Sequence, residues 1–117
     1  MTKETREPKA YEAAKVDGRH VITWRGLAGH DRGAAFALPA HSGMMVEITG
    51  NFGTSGSAGL EGSVAGASFA LIEDDKARTI YANRPILTRT LSAPRLLRPY
   101  AVGDEKTSLN VTICFDA

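Results

Sequence analysis

Cysteine is nearly missing from this sequence. Cys114 stands alone, so no disulfide can close within the chain and no cysteine-based zinc site can form. A single free thiol fits a reducing compartment. Long apolar runs are missing as well. Nothing approaches the roughly 18 residues of a membrane-spanning helix, and residues 1–15 hold no apolar core of a secretory signal. The chain is therefore expected to be soluble, made in a cytoplasm and without a membrane partner. Net charge is only +1, which argues against a surface built mainly to hold nucleic acid. Aromatic residues are few. Tyr81 and Tyr100 are the only stacking candidates in the basic part of the chain, too thin a set for single-stranded nucleic acid. No nucleic-acid partner is expected. Acidic residues are absent between Asp75 and Asp104, while Lys76, Arg78, Arg84, Arg89, Arg95 and Arg98 all fall there.

What is present points to β-structure. At 117 residues the chain is one domain, able to bury about two-thirds of its unfolded surface. The stretch Gly50–Gly66 is dense in glycine and serine but lies between apolar runs. Glycine supplies the positive φ of tight turns and weakens a helix. The stretch predicts strand and turn, with Phe52, Leu60 and Val64 feeding the core of a tight hairpin. Period-two alternation marks His20, Ile22 and Trp24, then Met44, Val46 and Ile48. It is clearest at the end, where Leu109, Val111, Ile113 and Phe115 share one face. Shorter strands are expected at residues 35–38, 57–63, 67–73, 79–82, 86–91 and 95–102. Alternation is poor in 86–91, because Arg89 shares a face with Leu87 and Leu91. Seven to nine short strands with frequent turn signals predict an all-β, single antiparallel β-sandwich, jelly-roll-like, over residues 18–117. Residues 1–17 are charged and mixed in sign. They are expected to form a flexible arm, disordered or ordered on a partner.

Motifs for chemistry are weak. The glycine-rich stretch has no lysine and no helix after it, so it is no phosphate loop. Gly53-Thr54-Ser55-Gly56-Ser57 does not fit a nucleophile elbow. His20, His30, His41 and Asp31 match no metal-ligand spacing, and His20 is expected to be structural. Glu61 and Glu73 suit solvated strand-end charges better than a catalytic pair. Asn110-Val111-Thr112 is a formal glycosylation sequon inside a strand. No enzyme activity, cofactor or metal is expected. The acid-free segment is the better functional signal, because arginine suits docking surfaces that meet carboxylates.

Several segments together resemble a family. They are Val21-Ile22-Thr23-Trp24, Val46–Gly53, Leu60-Glu61-Gly62-Ser63, Phe69-Ala70-Leu71-Ile72, Arg98-Pro99 and Thr107–Thr112. Over about residues 19–115 their order and spacing resemble the capsid decoration (cement) proteins of tailed bacteriophages. The chain departs from the pattern at Val64-Ala65, where an Asn-Asp turn is usual, and at Phe69, where Trp is usual. The resemblance implies a non-enzymatic protein on the outer surface of the phage head, made in the bacterial host cytoplasm. It implies the major capsid protein and further copies of this chain as partners, in a dimer or trimer. Lys9, Tyr11 and Lys15 of the arm, with Arg84, Arg89, Arg95 and Arg98, are the expected capsid or inter-subunit contacts. A head–tail connector or tail role makes nearly the same sequence predictions. A carbohydrate-binding β-sandwich would need an exposed aromatic platform, which a buried Trp24 could not supply.

Overall fold

The computed structural model describes residues 7–39, 44–91 and 94–116. Ten strands follow in chain order: β1 Tyr11–Val16, β2 Arg19–Leu27, β3 Phe36–Ala37, β4 Met44–Asn51, β5 Ser57–Ser63, β6 Ala70–Leu71, β7 Tyr81–Ala82, β8 Ile86–Arg89, β9 Leu96–Val102 and β10 Ser108–Asp116. No helix occurs among the described residues. The strands form two antiparallel sheets. The first is ordered β1-β2-β10-β4-β8 and the second β3-β9-β5-β6, with β7 beside β6 on the same edge of β5. From β2 onward most connections carry the chain from one sheet to the other, which is the wiring of a jelly roll. β1 is an added edge strand.

The alternating residues explain the packing. Leu109, Val111, Ile113 and Phe115 of β10 point inward, as do Met44, Val46 and Ile48 of β4, and all are buried. Leu60, Leu97 and Ala101 meet them from the second sheet. Trp24 is fully buried, and its indole N–H donates to the Ala34 carbonyl at 2.9 Å. Gly33 is required beside it, since a Cβ there would lie 2.4 Å from the indole Cδ1. His20 stacks on Phe115 with ring centroids 5.2 Å apart, the structural role expected of it. Between β2 and β10 the register slips next to Asn110, whose side-chain oxygen accepts from the Gly26 N–H at 3.1 Å. Gly26 has φ +65°, the left-handed conformation that lets a strand bulge.

Three expectations change. The segment 1–17 is not an arm throughout, because Tyr11–Val16 pair with β2 along their whole length. Asp17 and Gly18 close this hairpin with φ +51° and +79°, a two-residue turn whose twist matches the strands it joins. A boundary between residues 17 and 18 therefore falls inside a turn. The stretch Gly50–Gly66 is also not one hairpin. Its first part carries the chain from β4 in the first sheet to β5 in the second, and only its end opens the β5–β6 hairpin. Leu60 enters the core and Phe52 packs at its margin, but Val64 is 78% exposed. Finally, the poor alternation of residues 86–91 has a simple cause. β8 is an edge strand, and Leu87 and Arg89 both face outward from it.

Two aspartates hold the turns. The Asp104 carboxylate accepts from the backbone N–H groups of Lys106, Thr54 and Ser55, at 2.9, 2.8 and 3.2 Å. This ties the β4–β5 and β9–β10 connections together. Asp74 accepts from the N–H groups of Arg78 and Lys76, both at 2.9 Å, and pairs with the Arg78 side chain. These donors hold both carboxyl groups below the ordinary value, with the Lys106 N–H leading at Asp104 and the Arg78 N–H at Asp74. A carboxylate with a lowered folded pKa stabilises the fold above the unfolded value of about 3.9, and that contribution is lost as pH falls through the folded value. Asp104→Asn is therefore expected to lower stability at pH 7 and to differ less from the parent at about pH 3, below the unfolded value. Urea unfolding at the two pH values measures the difference; an equal loss at both would remove the charge from the explanation.

Candidate functional site

The outer face of the second sheet carries a connected set of interacting polar and aromatic side chains. Cross-strand register builds it. In β9, Leu97, Pro99 and Ala101 point inward, so Arg98 and Tyr100 point outward. Glu61 of β5 lies opposite Arg98, and Gly59 opposite both Tyr100 and Tyr81 of β7. Leu71 of β6 flanks Glu61 on the other side. Arg32 reaches the same face through an antiparallel bridge to Tyr100.

These side chains touch in a chain. Arg98 donates from Nε to Glu61 Oε1 at 3.0 Å, and its guanidinium lies over the Phe69 ring, 3.8 Å from the centroid. Arg32 Nε is 3.9 Å from the same carboxylate oxygen, with its side chain 59% exposed. Two guanidinium groups thus share one largely shielded carboxylate, which leaves positive charge in excess. Gly59 has no side chain to separate the tyrosines, and a Cβ there would sit 3.2 Å from Tyr100 Cε1. Tyr81 and Tyr100 come to a centroid distance of 6.1 Å. The Tyr81 hydroxyl also hydrogen-bonds Ser57 Oγ. Partial burial pushes the Tyr100 phenol above its usual value, and Tyr81 and Glu61 add to the shift. Beside Phe69, the β5–β6 connection, Ile72 and Pro94 wall an open groove of about 700 Å³. The surface offers planar cations, flat rings and apolar relief, a combination suited to gripping a partner that presents carboxylates or flat apolar groups.

The expected contact residues are scattered around this surface. Arg98 belongs to it. Arg95 lies exposed just before β9 and donates from Nε to the Val64 carbonyl at 2.7 Å. Arg89 lies opposite Met45 on the outer face of the first sheet, and Arg84 is exposed in the β7–β8 connection. The four arginines do not form one face. Tyr11 packs edge-on against Trp24 and Phe36, at 5.8 and 5.3 Å, and closes the margin of the core. Lys9 bridges to Gly33 through its backbone, and Lys15 lies exposed on β1 opposite His20. Glu61, expected as a solvated strand end, is instead the centre of the arginine pair. A strand over residues 95–102 carrying Arg98 was visible in the sequence, but the register that brings Glu61, Tyr81 and Arg32 to it was not.

Among the described residues, no group of three His, Cys, Asp or Glu side chains is placed to hold a metal ion. His41 lies outside those residues. Cys114 is half-buried on β10. No protein-family model matches the chain, and neither a curated protein nor a solved structure does.

Proposed function

We propose that this chain is a non-enzymatic structural protein that docks on a repeating protein surface, as a capsid decoration protein on the outside of a bacteriophage head. The observation that carries this reading is the outer face of the second sheet, where Arg32 and Arg98 share the Glu61 carboxylate beside Phe69 and the Tyr81–Tyr100 pair. Arginine and aromatic side chains are enriched in protein interfaces because they bring large contact area with directed polar groups. A small rigid sandwich with such a face can bridge neighbouring capsid subunits, and weak contacts repeated over a shell add through multivalency. The motif order along residues 19–115 supports the phage assignment, with the major capsid protein as partner and the bacterial cytoplasm as the site of synthesis. The test is co-sedimentation of the purified chain with bare phage heads. Saturable binding at many copies across the shell is expected. Binding as a single ring would move the role to the head–tail junction, and no binding would overturn the reading.

The paired tyrosines favour a second reading, in which the same face takes a sugar ring. Trp24 is fully buried and cannot be the platform, so Tyr81 and Tyr100 would be. Glycan binding that Tyr81→Ala abolishes would establish it.

A further inference from the structure

We propose that the outer edge of β1 pairs with β1 of a second copy, about a two-fold axis that passes midway between the two Ala14 residues. The argument is independent of the capsid reading and begins at the hairpin. In a two-residue turn such as Asp17-Gly18, the flanking residues Val16 and Arg19 form the hydrogen-bonded closing pair. Antiparallel hydrogen bonding alternates along a strand. Glu12, Ala14 and Val16 therefore direct their backbone groups at β2, while Tyr11, Ala13 and Lys15 direct theirs away from it. Lys9 has the same parity as this second set and shows the consequence. Its N–H donates to the Arg32 carbonyl at 2.8 Å, and its carbonyl accepts from Ala34 at 2.7 Å. Beyond that bridge, no described strand pairs with the outer edge of β1. All six residues of β1 are exposed.

Symmetry then selects the register. A two-fold axis normal to the sheet pairs residues whose side chains share a face, so one residue must face its own copy across the axis, which then lies level with that residue. Level with Ala13, it would bring Asp17 of the second copy opposite Lys9, where Gly33 already pairs. Level with Lys15, it would set two lysines directly opposite, which destabilises a sheet. Level with Ala14, it sets Ala13 opposite Lys15 of the second copy and Glu12 opposite Val16. Ala13 and Lys15 then exchange backbone hydrogen bonds with their counterparts on both sides of the axis. The two Ala14 residues meet as a non-hydrogen-bonded pair with Cα atoms about 4.5 Å apart, a spacing that their small side chains permit. The six residues include no proline, and Glu12 and Lys15 leave them neutral in sum. Pairing extends the first sheet continuously into its copy. The two Lys15 side chains lie diagonally across the axis, about 7–8 Å apart, so added salt strengthens the association.

Disulfide trapping tests the register. Ala14→Cys and Ala13→Cys are made in the full chain with Cys114→Ser, then oxidised and weighed by mass spectrometry and sedimentation. Cysteines at Ala14 fall within disulfide reach, whereas cysteines at Ala13 sit diagonally, beyond the Cα limit of about 7 Å. Ala14→Cys is expected to give at least about tenfold more covalent dimer than Ala13→Cys. A third variant, Ala13→Pro, removes an outward N–H without touching the bonds to β2. It is expected to keep the parent circular dichroism and to sediment as a monomer. Equal trapping at both positions, or a dimer that Ala14→Cys does not trap, would place the interface elsewhere and overturn the proposal. So would a chain that stays monomeric at high salt and high concentration.

Discussion

Trp24→Ala is expected to destabilise the protein by about 3–5 kcal/mol, a large share of the roughly 5–15 kcal/mol that holds a domain together. The indole is fully buried in the middle of β2. It lies opposite Val111 of β10 on one side and Tyr11 of β1 on the other. Removing it strips the Ala34 carbonyl of its 2.9 Å donor and opens space beside the Gly33 backbone. It also removes the surface on which Tyr11 rests, and with it much of what holds β1 against the body. Deleting a large ring leaves a cavity that the surrounding sheets cannot fully close. Urea unfolding followed by far-ultraviolet circular dichroism measures the loss, since the fluorophore is gone. The midpoint should fall with little change in slope. A loss below about 1 kcal/mol would show that the two sheets close around the gap and that Trp24 is not central.

Much of this core was legible because period two survives where a strand has one wet and one dry face. β4 and β10 are such strands, central to their sheet, and their alternating apolar residues read directly as the buried set. β8 resisted because an edge strand lets apolar and charged residues share an outward face, as Leu87 and Arg89 do. β1 resisted for a different reason. Its exposed residues carry no apolar signal, and it is held by backbone hydrogen bonds to β2 and by the turn at Asp17-Gly18. Composition judged that segment as if it stood alone. The glycine-rich stretch gave the fold class correctly but concealed a crossing between sheets. Gly56 shows why glycine is needed there: its N–H reaches the Phe52 carbonyl at 2.7 Å, and a Cβ would lie 2.0 Å from that oxygen. Such a compact turn is as compatible with a crossover as with a hairpin, so glycine content alone could not separate them.

The same distinction applies to the surface. Charge counted along the chain found the acid-free segment, and Arg98 within it. Glu61 and Arg32 lie 37 and 66 residues away from Arg98 along the chain. Only the pairing of β5 with β9 and the bridge from Arg32 to Tyr100 bring them together. A linear charge pattern therefore overstated Arg84 and Arg89 as members of one face. It also passed over the carboxylate that organises the other.

That geometry makes Arg32→Ala the most decisive test of the proposed docking surface. The Arg32 side chain is 59% exposed and stands 3.9 Å from Glu61, so an exposed pair of this kind contributes at most about 1 kcal/mol to stability. Its removal should leave the thermal midpoint close to that of the parent. If the outer face of the second sheet is the docking surface, the same change removes an exposed arginine beside Tyr100, the setting in which interface energy concentrates. Affinity for bare phage heads is then expected to fall at least about 30-fold, which corresponds to roughly 2 kcal/mol. Arg98→Ala should behave differently. Arg98 is less exposed, bonds Glu61 at 3.0 Å and covers Phe69, so stability and binding should fall together. Arg84, exposed in the β7–β8 connection and outside the pair of arginines on Glu61, serves as the control, and Arg84→Ala should change affinity by no more than about threefold. Binding isotherms and thermal melts on the three variants separate the roles. Normal binding by a folded Arg32→Ala chain, with a loss in Arg84→Ala, would move the docking surface from β5 and β9 to the edge formed by β8.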